Sequence, residues 1–227
     1  MKTFILFLSL VMSCFVSSAF AQDVVATSSG KDVSPSADML QVACQLVKYG
    51  YQTKSALPLI QALEIYKNVG LRYESEAKTK TTRTDGVVAD NGKSKDNPIS
   101  FNEKQLIADA TSFADGDKSL LALIKGLGGD RGSINGPTRH FDRVLAYSTD
   151  TYPVSFRGGE DAYVVVSGDG DSDLDLYVYD QNGNLITFDR DGTDDCVVSF
   201  VPNWTGPFFI QVKNLGGVYN NYVIATN

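Results

Sequence analysis

The sequence predicts an α+β protein in two parts, with N-terminal helical hairpins followed by a C-terminal all-β sandwich, jelly-roll-like, of about eight strands. Three observations carry this prediction. Apolar residues recur at helical spacing up to about residue 128. Beyond a glycine-rich stretch the apolar period becomes two. In that second part Gly, Asn and Asp recur at short, regular intervals, as they do between the strands of sandwiches and barrels.

The first residues carry a different signal. Lys2 is a short positive start, Phe4 to Met12 is apolar apart from Ser9, and Ala19-Phe20-Ala21 is a small-x-small cleavage site. This pattern reads as a secretory signal peptide over residues 1–21, and its apolar stretch is too short to span a bilayer. Val11-Met12-Ser13-Cys14 offers a rival in which Cys14 is lipidated, although Met12 fits such a box poorly and the leader would be short. Either way the chain is expected to be exported, to the periplasm or the extracellular space. No apolar run of spanning length follows Ala21, so no integral membrane segment is expected after cleavage.

Cleavage leaves about 206 residues, room for one large domain or two small ones. The chain has 20 Lys+Arg, 27 Asp+Glu and a formal net charge of -7. That balance disfavours nucleic acid, whose phosphates need a basic face, and disfavours an anionic membrane surface. It is compatible with cation binding.

Residues 22–34 are small and polar and read as a flexible lead-in. The helical region is expected over 35–128. Pro35 suits a first helical position. Met39, Val42, Ala43, Leu46 and Val47 fall on one helical face, and Gly50 offers a stop. A second helix starts near Ser55 with Pro58 in its first turn; Leu59, Ala62, Leu63 and Tyr66 form its stripe before Gly70. Residues 74–98 hold almost no large apolar side chain and read as a mobile loop, with a weak turn signal at Asp85-Gly86. Ser100-x-x-Glu103 matches a capping box. Leu106, Ala110, Phe113 and Ala114 share the face of the third helix; Leu120, Leu123, Ile124 and Leu127 share that of the fourth.

Residues 129–139 form a linker, and 140–227 the sandwich. Tyr152, Val154 and Phe156 alternate, as do Leu174, Leu176 and Val178, which predicts one buried and one solvated face. Asn182-Gly183 is a two-residue hairpin signal.

Several segments of this part resemble the bacterial pre-peptidase C-terminal domain. They are Phe156-Arg-Gly-Gly-Glu160, Val164 to Tyr179, Asp180-Gln-Asn-Gly-Asn184, Asp194-Asp-Cys196, Pro202-Asn-Trp-Thr-Gly206 and Val212-Lys-Asn214. The resemblance covers about residues 140–227. It implies a jelly-roll-like sandwich serving as an accessory module of a secreted protein. It does not imply peptidase activity, because in that family the domain is an appendage, and no protease domain precedes it here.

Chemistry-bearing residues are few. Asp169, Asp171 and Asp173 head a dense acidic cluster and are the candidate ligands for calcium, a hard cation that relieves carboxylate repulsion; some domains similar to this one bind it. Leu174 and Asp180 stand where an EF-hand loop needs Gly and Glu, and strands flank the segment, which argues against an EF-hand. The other reading is a solvated row of acids at a strand edge. Tyr177, Tyr179 and Trp204 are candidates for a ligand face that stacks on sugar rings or on protein; core packing is the alternative. An oxidising compartment permits a Cys44–Cys196 disulfide, and two separately buried thiols are the other reading. His140 is the single histidine, and a Cys44–His140 dyad is disfavoured because Cys44 lies on an apolar helical face.

The expected function is therefore a secreted, non-catalytic accessory or binding protein, with an unidentified protein or glycan partner and a helical region for partner interaction. One alternative is a glycoside-directed hydrolase that uses clustered carboxylates such as Asp173 and Asp175. The other is a purely structural stability module.

Overall fold

The computed structural model describes residues 35–69, 72–73, 80–83, 98–127 and 138–227. The expected signal peptide, the lead-in, most of the 74–98 loop and most of the linker lie outside the described residues.

Four helices come first: α1 (Pro35–Thr53), α2 (Ala56–Asn68), α3 (Glu103–Phe113) and α4 (Lys118–Leu127). Two short strands lie between α2 and α3: β1 (Arg72–Tyr73) and β2 (Lys80–Arg83). Eight strands follow: β3 (Thr138–Val144), β4 (Ser148–Phe156), β5 (Ala162–Gly168), β6 (Leu174–Tyr179), β7 (Leu185–Asp189), β8 (Asp195–Phe200), β9 (Gly206–Asn214) and β10 (Asn220–Thr226). They form two sheets, ordered β1-β3-β10-β5-β8 and β2-β4-β9-β6-β7. Apart from the β6–β7 hairpin, consecutive strands alternate between the sheets, as in a jelly roll.

The helices pack on the first sheet, here the inner sheet, so the molecule has three layers. Tyr163 and Val165 of β5, with Val223 and Ala225 of β10, join the core of helical residues. The alternate residues Val164, Val166 and Ile224 point the other way, into the core between the sheets. β5 is therefore buried along its whole length, which explains its unbroken Val164-Val165-Val166 run: a strand covered on both faces has no solvated side to alternate with. Leu40, Leu59, Leu63 and Leu106 anchor the helical core at 0–1 % exposure, each contributing roughly 1.5–3 kcal/mol.

Several sequence expectations shift. The buried face of α1 is Ala37, Leu40, Ala43, Cys44 and Val47, whereas Met39 and Val42 are 43 % and 48 % exposed. The helix runs through Gly50. A side chain there would meet Leu59 Cδ2 at 2.5 Å, so the glycine lets α2 approach α1 and does not end the helix. Asn102 caps α3, its side-chain oxygen accepting from the backbone N–H of Lys104 at 3.0 Å and of Gln105 at 3.3 Å. Ser100 instead accepts from the Asn102 N–H, and the Glu103 carboxylate is drawn to Arg139, so the capping box does not form. Residues 80–83, within the expected loop, make a strand that pairs antiparallel with β4 and covers the edge of the outer sheet. The loop between β6 and β7 has five residues, Asp180 to Asn184, and not two.

Polar contacts join helices to sandwich. Lys48 of α1 reaches Asp194 at 2.9 Å and Asp195 at 2.8 Å, and Gln45 donates to Asp195 at 3.0 Å. Burial alone would push the Lys48 ammonium down; the two carboxylates outweigh it and hold it above the ordinary lysine value. Arg139 pairs with Glu103 at 2.7 Å and lies over the Tyr66 ring, 4.6 Å from its centre.

Candidate functional site

Asp169 ahead of β6 and Asp194 ahead of β8 hold the fold together. Asp169 is 4 % exposed, and its carboxylate accepts from the backbone N–H of Asn221 at 2.9 Å. Asp194 receives the Gly170 N–H as well as Lys48. Gly168 has to be glycine, because a side chain there would meet Asp194 Oδ2 and Asn220 Oδ1 at 2.5 Å. Asp171 is exposed in the loop. Asp173 stands close to Asp175, Asp191 and Asp194. Among the described residues, no three His, Cys, Asp or Glu side chains converge as a ligand set for a metal ion. Asp169 turns inward to β10, whereas Asp171 is exposed.

Burial, then repulsion from Asp175, Asp191 and Asp194, push the Asp173 carboxyl above the usual carboxylate range, and its Oδ1 is shielded with no hydrogen-bond donor. A carboxyl raised on folding stabilises the protein as pH falls and opposes folding above its folded pKa. Replacing Asp173 by Asn is therefore expected to raise the melting temperature at pH 7 by about 1–3 °C, with the gain vanishing in mildly acidic buffer. A pH series of thermal melts checks this.

The hydrolase alternative finds no support in these acids. Asp175 accepts the Tyr177 hydroxyl at 2.9 Å, and neither Asp173 nor Asp175 lines either of the two cavities described here.

Cys44 and Cys196 are free and buried, so the bridge between them does not form. They lie on opposite faces of the inner sheet. Cys44 belongs to the helical core, its sulfur 3.9 Å from the Tyr66 hydroxyl. Cys196 faces the core between the sheets and contacts the Leu174 carbonyl at 3.0 Å. Burial pushes the Cys44 thiol up to about 12 and the Cys196 thiol higher still, which leaves neither reactive. His140 sits beside Asp142, 3.4 Å away, and edge-on to Tyr152; it forms no dyad with Cys44.

The aromatic candidates separate. Trp204 stacks on Phe208 with ring centres 5.3 Å apart and closes one end of the core between the sheets. It does not join the tyrosines. Tyr177 and Tyr179 alternate with the buried Leu176 and Val178 and so project from the outer sheet, on the side away from the helices. Their rings stack at 6.3 Å with an interplanar angle of 24°. Phe188 of β7, 45 % exposed, extends the row at 6.2 Å from Tyr177. Arg190 lies 4.5 Å over the Phe188 ring.

Beside Tyr179 a cavity of about 600 Å³ is walled by Phe209 and Gln211 of β9, Thr151 of β4, Thr82 of β2 and the 180–183 turn. That turn is stiff. The Asp180 carboxylate accepts the N–H groups of Asn182 and Asn184 and the Asn184 side chain, each at 2.8 Å. Burial alone would raise this carboxyl; the hydrogen bonds outweigh it and hold it below its usual range. Gly183 takes φ +83, which permits the turn. The contribution of β2 to this face was not legible in the sequence, because it depends on sheet order, whereas β7 beside β6 follows from the Asn182-Gly183 hairpin signal.

No family model and no curated protein matches the chain. Solved structures with similar folds share little sequence with it. One is the periplasmic inhibitor of g-type lysozyme, PliG, of Aeromonas hydrophila, at 17% identity over 40% of this chain and 84% of that one, with a TM-score of 0.32. Another is the pre-peptidase C-terminal domain of the Bacillus anthracis collagenase, at 10% identity over 40% and 88%, TM-score 0.33. A third is a carbohydrate-binding module of Cellvibrio mixtus lichenase 5A, at 13% identity over 41% and 87%, TM-score 0.26. At these values none of them assigns a function to this chain.

Proposed function

We propose that the chain is an exported, non-catalytic binding protein that holds a neutral glycan on the outer sheet, with the sandwich acting as an accessory module of the pre-peptidase C-terminal kind. The observation that carries the reading is the near-parallel Tyr177–Tyr179 pair, extended by Phe188 and bordered by Gln211, Thr151 and Thr82. Flat rings offer apolar platforms for the C–H faces of sugars, and amide and hydroxyl side chains beside them meet sugar hydroxyls. Two rings in one row suit a linear oligosaccharide better than a monosaccharide. The acidic surface disfavours anionic polysaccharides. The signal-peptide pattern of residues 1–21 supports export, and that is where extracellular glycans are met.

Calorimetric titration with neutral linear hexasaccharides tests the proposal. Tyr179→Ala is expected to weaken binding at least about tenfold, equivalent to about 1.4 kcal/mol. Trp204→Phe, at a position facing the core, is expected to leave the affinity unchanged. Equal affinity in the wild type and in a Tyr177→Ala/Tyr179→Ala double variant would remove the aromatic row from the site.

A further inference from the structure

A second cavity, of about 890 Å³, opens between the helical layer and the β3–β10 side of the inner sheet. Tyr51 of α1 and Gln105, Asp109 and Phe113 of α3 form its helical wall; Phe141 and Arg143 of β3 stand opposite. Two acids line the cleft: Asp142 accepts the Tyr152 hydroxyl at 3.1 Å and the Arg143 N–H at 2.7 Å, and Asp109 stands on the helical wall. Asp109 accepts the Tyr51 hydroxyl at 2.6 Å and the Gln105 side-chain amide at 3.0 Å. Both donors are neutral: burial, and then the neighbouring carboxylate, push the Tyr51 phenol well up. Among the described residues no lysine or arginine pairs with Asp109, and a carboxylate with two neutral donors has room for more.

The surroundings of Asp109 suit a cation. Phe113 meets Tyr51 edge-on at 6.0 Å and 87°, so the carboxylate lies beside aromatic surface, and Phe141 adds a ring on the far wall. Aromatic rings next to a carboxylate form a recess for an ammonium or guanidinium on an apolar stem. Arg143 does not fill it. Its Nε donates to Asn221 at 2.9 Å and its guanidinium lies 4.1 Å from the centre of the Tyr219 ring, which holds it along its own wall.

We propose that this cleft receives a lysine or arginine side chain of a partner polypeptide, with the cation on Asp109 and the stem along Phe113 and Phe141. The negative charge of the chain favours approach of a basic partner. The cleft and the tyrosine row are lined by different residues, so this proposal and the glycan reading fail or stand separately.

The test is an NMR titration of the full exported chain, followed at the amides of Gln105 and Phe113. The probes are a lysine tetrapeptide with blocked termini, its norleucine counterpart and n-butylamine. The lysine peptide is expected to bind saturably and the norleucine peptide not at all. Asp109→Asn is expected to weaken binding roughly tenfold or more, the effect of losing one charged hydrogen bond, and Arg143→Gln to tighten it. If Asp109→Asn lowers the melting temperature, Gln105→Glu gives the same test with opposite sign, because it adds an anion to the same wall. Butylamine binding as tightly as the peptide would overturn the polypeptide source in favour of a free amine. No binding by any cation, or binding that ignores Asp109→Asn and Gln105→Glu, would overturn the site itself.

Discussion

Replacing Lys48 by alanine is expected to destabilise the protein by about 3 kcal/mol, because it strands two carboxylates where the helices meet the sandwich. The Lys48 side chain is 12 % exposed and its partners Asp194 and Asp195 are 9 % and 23 % exposed, so water offsets little of the loss. Asp195 would keep Gln45 and the Ser167 hydroxyl, and Asp194 the Gly170 N–H. Those neutral donors moderate the damage without supplying a counter-charge. In a chain of this size the melting temperature should fall by about 6–12 °C. Adding Asp195→Asn to Lys48→Ala should recover part of the loss, because one stranded charge is removed. The sign with pH also follows. A lysine held above its ordinary pKa stabilises the fold at all pH below that ordinary value, and the contribution is lost as pH rises through the raised value. The wild type and Lys48→Ala should therefore converge in strongly alkaline solution. Equal melting temperatures at pH 7 would mean that the ion triad contributes nothing to joining the layers.

Val165→Asp is expected to have a larger effect still. Val165 is 0 % exposed and faces the helical layer from the middle of β5. A carboxylate at that position is buried among apolar side chains with no partner, a change in the class that costs more than about 4 kcal/mol. The expected outcome is loss of cooperative unfolding or insoluble expression. If the helices were a separate domain, Val165 would face solvent and the substitution would change stability by only about 0.5 kcal/mol. Denaturant unfolding of the variant distinguishes the two.

How much of this could be read in advance varies with the kind of information each residue carries. The helices α2 and α3 were legible because Leu59, Ala62, Leu63 and Tyr66, then Leu106, Ala110 and Ala114, keep strict helical spacing, and all are buried. In α1 apolar residues lie on two overlapping stripes. Met39 and Val42 match the spacing as well as Leu40 and Cys44 do, and only the position of the inner sheet decides which stripe is covered. The eight strands of the sandwich were legible from alternation and turn residues. The docking of helices on them was not read from the sequence, although the unbroken apolar run of β5, buried on both faces, is its trace. Strand β2 was not legible, because Lys80 to Arg83 hold no large apolar residue and pair with a strand distant in sequence.

The candidate site was half legible. Tyr177 and Tyr179 share a face by the period of two, and that follows from sequence. Trp204 was grouped with them on composition, whereas its place in a loop let it fold back onto Phe208. The acids of 169–173 looked like ligands because density of charge is visible in sequence. The hydrogen bond that uses Asp169 comes from Asn221, distant in the chain. Asp109 carried no signal, because an isolated acid on an amphipathic helix looks like any solvated residue until the opposite wall of the cleft is in place.

The central claim is that ligand binds on the outer sheet, away from the helices. Hydrogen exchange followed by mass spectrometry, with and without a saturating neutral hexasaccharide, tests it most directly. Slowed exchange is expected in residues 177–189 and 206–213, with the helices unchanged. Slowing confined to residues 98–113 and 139–143, or none in the 177–189 segment at saturation, would contradict it.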